Sequence, residues 1–67
     1  MKQKIQRALD HAGYNSEPTE QNLTSCFLDY VDAGVWGNLQ YDEAQEDIQD
    51  GEITAQDMCH AIMKLRR

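Results

Sequence analysis

Leu23, Cys26, Phe27, Tyr30 and Val31 stand at i, i+3, i+4, i+7 and i+8. On a helix of 3.6 residues per turn these positions share an arc of about 140°, a width suited to burying one face against a neighbour. Three other short segments carry the same period. Ile5, Ala8, Leu9 and Ala12 form the first, and Gly13 is placed to end it as the C′ residue. In the second, which holds the stripe from Leu23 to Val31, Pro18 suits the first turn and Gly34 the end. Its start falls between Ser16 and Thr19. The third covers roughly residues 40 to 49, with Tyr41, Ala44 and Ile48 as its apolar side and Gly51 after it. The fourth has the clearest beginning. In "ITAQDM", Thr54 can serve as N-cap and Asp57 as N3, a capping box with Asp in place of Glu. Ile53 and Met58 are spaced as a hydrophobic staple, and Met58, Ala61, Ile62 and Leu65 are the expected core face. Lys64, Arg66 and Arg67 would complement the dipole at that helix's end. No stretch alternates with strand period. The pattern predicts an all-α fold, a small compact bundle of about four short helices forming a single domain over residues 1 to 67.

Such a bundle has a thin core. With 67 residues, it buries only about 60% of the surface its unfolded chain exposes. Little volume is left for a catalytic cleft. Two cysteines, Cys26 and Cys59, are too few for a disulfide framework, and both lie on or beside apolar stripes, which predicts buried thiols. The start, "MKQKIQRALDHAG", is basic but lacks the apolar stretch of a signal peptide. No apolar run reaches the roughly 20 residues that span a bilayer. A cytoplasmic setting with reduced thiols is therefore expected.

Charge is sorted along the chain. All six basic residues lie at the ends: Lys2, Lys4 and Arg7, then Lys64, Arg66 and Arg67. All twelve acids lie between them, and nine of these fall from Asp29 to Asp57. The net charge of −6 thus hides a middle of −12. Such a body repels nucleic acid and anionic membrane, so neither is an expected partner. Its complement is a basic protein surface.

The concentration is greatest in "YDEAQEDIQD", residues 41 to 50. At 100° per residue, Asp42, Glu46, Asp50, Glu43 and Asp47 fall at about 0°, 40°, 80°, 100° and 140°, one acidic face opposite the apolar one. A solvated, solubilising surface accounts for part of this, because Asp42 and Glu43 favour a helix N-terminus. It accounts less well for the rest. Asp42–Glu46, Glu43–Asp47 and Glu46–Asp50 are like charges at i,i+4, each destabilising by about 0.2–0.5 kcal/mol. The nine residues from Asp42 to Asp50 span about 12–14 Å, giving one charge per roughly 2.5 Å. Duplex DNA carries one per ~1.7 Å. Small proteins resembling DNA in charge, often carried by phages and plasmids, block host defence enzymes. The likeness here is one of physical strategy and involves no family motif. Asp29, Asp32, Glu52 and Asp57 would extend the face if the second and fourth helices flank the third.

Other patterns are weaker. "EDIQDGEITAQD", residues 46 to 57, places Gly51 sixth, Ile53 eighth and Asp57 twelfth, as in a calcium EF-hand loop. However, Glu46 stands first, and Ile48 occupies the third position, where an oxygen ligand belongs. A helix end at Gly51 followed by a cap at Thr54 explains the same residues. Cys59 and His60 are adjacent and point about 100° apart, and with Cys26 and His11 they lack zinc-site spacing. No nucleophile–base arrangement or phosphate-cradling glycine loop is present, so no enzyme, metal or cofactor is expected. Trp36, in "GVWGN", is read as a lid on the core or as an exposed anchor for a partner. Leu28 and Met63 border their stripes and either widen the core or form a seam. A helical transcription regulator would need a recognition helix with Arg, Asn and Gln on one face, which is absent.

The resulting expectation is a non-enzymatic, acidic protein-binding module. In sharper form it is a mobile-element inhibitor of a nucleic-acid-binding host protein or defence complex. Asp42, Glu43, Glu46, Asp47 and Asp50 would carry the interaction, with Asp29, Asp32 and Trp36 beside them. A generic acidic adaptor, a degenerate EF-hand protein and a small regulator are the alternatives.

Overall fold

A computed structural model describes the backbone of residues 1 to 65 and the side chains through Lys64. Its four helices are α1 (Lys2–Ala12), α2 (Glu20–Asp32), α3 (Tyr41–Asp50) and α4 (Ala55–Leu65). The described residues contain no strand. The fold is the all-α bundle that the periodicities predict.

Three of the helices stop in the same way. After α1, Gly13 N–H donates to Asp10 C=O and Tyr14 N–H to Leu9 C=O. After α2, Gly34 N–H donates to Val31 and Val35 N–H to Tyr30. After α3, Gly51 N–H donates to Ile48 and Glu52 N–H to Asp47. Each is a Schellman pair, and each needs a residue at positive φ, where a Cβ is strained. Glycine supplies it, at φ 72°, 76° and 84° respectively.

The starts differ. At α4 the capping box forms in full: Thr54 N–H donates to Asp57 Oδ2 at 3.0 Å, and Asp57 N–H to Thr54 Oγ1 at 3.2 Å. At α2 the cap is Thr19, whose Oγ1 accepts Asn22 N–H at 3.1 Å. Pro18 therefore precedes the cap and is not in the first turn, a correction to the sequence reading. The Asn22 amide also donates to Glu17 C=O, fixing the entry strap just where Pro18 lies.

The core is Ile5, Ala8 and Leu9 of α1, Leu23, Cys26, Phe27, Leu28 and Val31 of α2, Ala44 of α3, and Met58, Cys59 and Ile62 of α4. Leu28, at 6% exposure, widens the core. Ala61 and Met63 are half-buried against it. The side chain of Leu65, and all of Arg66 and Arg67, lie outside the described residues.

Helices α1, α2 and α4 pack on one another, and α3 packs on α2 alone among the described helices. The Cα radius of gyration is 10.8 Å, matching the ~10.9 Å expected of a compact chain of this length. The limited docking of α3 explains a second correction. Tyr41, read as part of that helix's apolar side, is 40% exposed. Only Ala44 is buried on α3, with Ile48 half-buried beside it. A helix that meets a single neighbour buries a narrow stripe, and Tyr41 at the first position falls outside it.

Candidate functional site

The outward side of α3 displays its carboxylates to solvent. Asp42, Glu43, Glu46 and Asp50 are exposed, and Asp47 is half-buried. The difference follows from helix geometry. Asp47 lies about 60° around the axis from Ala44, the buried contact with α2, while the other four lie farther round. Asp29 and Asp32 are exposed in the last turn of α2, the helix on which α3 rests. No ion pair engages these seven acids among the described residues.

Their placement opposes the helix dipole at two points. Asp42 and Glu43 occupy the first turn of α3, where negative charge is favourable. Asp47 and Asp50 sit in its last turn, and no basic residue offsets them there. Asp29 and Asp32 repeat the pattern at the end of α2, again without a basic residue. An anion at the negative end of a helix is unfavourable by about 0.3–1 kcal/mol at an exposed position.

The extended patch forms only in part. Helix α4 makes no contact with α3 among the described helices. Asp57 spends its carboxylate on the Thr54 cap. Its carboxyl is held below the ordinary value of 3.8 first by the Thr54 N–H, then by the Thr54 hydroxyl. The sequence condition for joining Asp57 to the face is therefore unmet, whereas α2 does flank α3.

The loop of residues 33 to 40 leads into this face. Trp36 is half-buried, with its ring 5.4 Å from that of Phe27 at an interplanar angle of 44°. The indole Nε1 is covered and has no hydrogen-bond partner among the described residues, and a buried donor left unpaired costs about 1–3 kcal/mol. Most of Trp36 thus serves as the lid over Phe27. The exposed apolar side chains here are its neighbour Val35, at 45%, and Tyr41. Sequence reasoning missed both as surface features: Val35 carries no periodic signal, and Tyr41 matches the apolar stripe by spacing alone.

Residues 46 to 57 form a helix end followed by a capped helix start. Glu46 to Asp50 are helical, Gly51 ends the helix, and Asp57 caps the next. No cluster of three or more His, Cys, Asp or Glu able to hold a metal occurs among the described residues. Cys26 and Cys59 are free and buried. Burial, then the charge of Asp29, pushes the Cys26 thiol up to about 11. Burial also raises Cys59, opposed by the nearby Lys4 ammonium and the N-terminal amine.

A concavity lies between α1 and α4, on the part of the bundle that α3 does not touch. It is lined by Lys4, Arg7, Gln56, Cys59, His60 and Met63. Its signal in the sequence is the pair of spacings i,i+3 for Lys4 and Arg7, and i, i+3, i+4, i+7 for the α4 residues. Only the packing of the two helices brings them together. None of the described helices is long and apolar enough to cross a membrane. No family model, curated protein or solved structure matches the chain.

Proposed function

We propose that this chain is a non-enzymatic cytoplasmic interaction module whose α3 face engages a basic surface of a nucleic-acid-binding protein or complex. One observation carries the reading. Four exposed carboxylates of α3 and two of α2 stand without ion pairs among the described residues, several of them at the unfavourable ends of their helices. Beyond Asp42 and Glu43, which suit the first turn of α3, neither folding nor local helix stability calls for that arrangement, since the apolar face alone docks α3. A cationic partner removes both penalties at once, because the carboxylates that repel one another each gain a counter-charge. Val35 and Tyr41 offer apolar contact at the entry to the face, and tyrosine is enriched at binding hot spots. Trp36 supports the loop from beneath. The sharper form is charge mimicry: the face occupies the channel that a nucleic-acid backbone would fill, as an inhibitor encoded by a phage or mobile element would.

The experiment uses the full chain as bait in a host lysate, with Glu46→Lys/Asp50→Lys as control. Both positions are exposed, so the variant is expected to keep its helicity. Its affinity for the captured protein should fall at least about tenfold, equivalent to 1.4 kcal/mol. Duplex DNA should displace the wild-type chain, and rising salt should slow association. If the variant binds as well as wild type and nucleic acid does not compete, the acidic face is a solubility device.

A further inference from the structure

The cleft between α1 and α4 has the opposite character from the α3 face. It is open to solvent on one side and has a volume of about 170 Å³. Gln56, Cys59, His60 and Met63 line one wall along a single stripe of α4, and Lys4 and Arg7 face them from consecutive turns of α1. Cys59 is buried and Met63 half-buried, which makes an apolar floor. Lys4, Arg7, Gln56 and His60 are exposed and form a polar rim.

Two features of this rim are unexplained by the fold. First, Lys4 and Arg7 are like charges one turn apart, and neither is ion-paired among the described residues, although the chain has twelve acids. Second, the first turn of α1 contains no acid and carries Lys2 and Lys4 instead. Cations at a helix N-terminus add to its positive dipole end. The resulting field reaches the floor: Lys4 and the N-terminal amine both favour the Cys59 thiolate against the larger effect of burial.

We propose that this cleft binds a small phosphorylated ligand, its phosphate held by Lys4 and Arg7 and its short apolar part resting on Cys59 and Met63. The rim suits that group. A guanidinium fork and an ammonium are the side chains best matched to phosphate oxygens, and the Gln56 amide and His60 imidazole offer further donors. The cleft is open to solvent, and its volume of about 170 Å³ lies below the ~300 Å³ at which pockets for drug-sized molecules begin. It therefore covers a phosphate with a few carbon atoms, whereas a larger ligand such as a nucleotide would project beyond it. Lys4 and Arg7 line this cleft without an ion pair among the described residues, with Asp10 beside Arg7 in the adjoining shallow groove.

The test titrates the full chain with propyl phosphate, inorganic phosphate and butyrate at constant ionic strength, following backbone amide shifts. Propyl phosphate should give one saturable site, with the largest shifts at Gln56, Cys59 and His60, and should bind more tightly than inorganic phosphate because of the floor. Maleimide labelling of Cys59, but not of Cys26, should slow when the site is filled. Lys4→Gln and Arg7→Gln should each weaken binding about tenfold or more, the loss expected for one charge-assisted hydrogen bond. Both side chains are exposed, so the melting temperature should hold. The proposal is overturned if propyl phosphate fails to saturate by about 10 mM or if both variants bind like wild type. It is also overturned if butyrate binds as tightly as propyl phosphate.

Discussion

Glu46 is the position at which the acidic face of α3 can be tested without any partner. It is exposed near the middle of the helix and has Asp42 one turn before it and Asp50 one turn after it. Each of these i,i+4 like-charge pairs destabilises the helix by about 0.2–0.5 kcal/mol. Glu46→Lys converts both repulsions into attractions, so the change per pair is about 0.4–1 kcal/mol and the total about 1–2 kcal/mol at low salt. The Asp42 pair should contribute more, since an acid N-terminal to a lysine is the better orientation. A gain of 1 kcal/mol raises the melting temperature of a domain this size by about 4–8 °C. Far-UV circular dichroism melts at low salt should show that rise. At 1 M salt the Debye length falls to ~3 Å, so most of the gain should vanish. A variant that melts lower than wild type at low salt would refute the reasoning, because Glu46 would then have a stabilising partner. A gain equally large at 1 M salt would refute it too, since its origin could not be screened Coulomb repulsion.

Thr54→Ala should cost about 1 kcal/mol, the usual loss for an N-cap oxygen, and a denaturant titration with unchanged m-value should show it. Asp57 contributes stability above its ordinary pKa and loses it as pH falls through its lowered folded value, so acid melts of Asp57→Ala should lose less stability than wild type in that range. Cys26 and Cys59 should react slowly with thiol reagents in the native state and quickly in denaturant, and fast native labelling of both would contradict their burial. Trp36→Phe removes the unpaired indole N–H while keeping an aromatic ring over Phe27. It should therefore melt at or above the wild-type temperature, and a loss above about 1 kcal/mol would mean that Nε1 has a partner.

The fold is legible because each helix announces itself twice. A stripe at period 3.6 gives its buried face, and a glycine marks the end of α1, α2 and α3 while the capping box marks the start of α4. The Thr54–Asp57 box could be read residue by residue, since a cap needs only local spacing. Pro18 was misplaced for a related reason. Both a proline at the first turn and a threonine cap one residue later fit the sequence, and the choice depended on Thr19 finding the Asn22 N–H and Asn22 finding the Glu17 carbonyl. Tyr41 marks the larger gap. Spacing shows which residues share a helix face, but how wide a stripe is covered depends on how many neighbours the helix has. One neighbour suffices to bury Ala44 but leaves Tyr41 in water. The cleft residues were visible singly yet could not be assembled, because Arg7 and Gln56 are distant in sequence and only the α1–α4 contact joins them.

That same contact turns a one-dimensional charge pattern into a three-dimensional one. Basic residues at the two ends of a chain would be scattered if the ends diverged. Here α1 and α4 pack together, so Lys2, Lys4, Arg7 and Lys64 are carried by one pair of adjacent helices. Helix α3, which holds five of the twelve acids, leans on α2 and touches neither. The helix α2 stands between the two sets, and its own acids at Asp29 and Asp32 lie in the last turn, just before the loop that leads into α3. A net charge of −6 therefore describes neither side of the molecule. An approaching protein meets a nearly pure carboxylate surface from one direction and a cation-lined cleft from another. Because potentials at the surface decay over about 8 Å at physiological salt, each is felt locally, and the excess of acid elsewhere does not cancel the positive cleft.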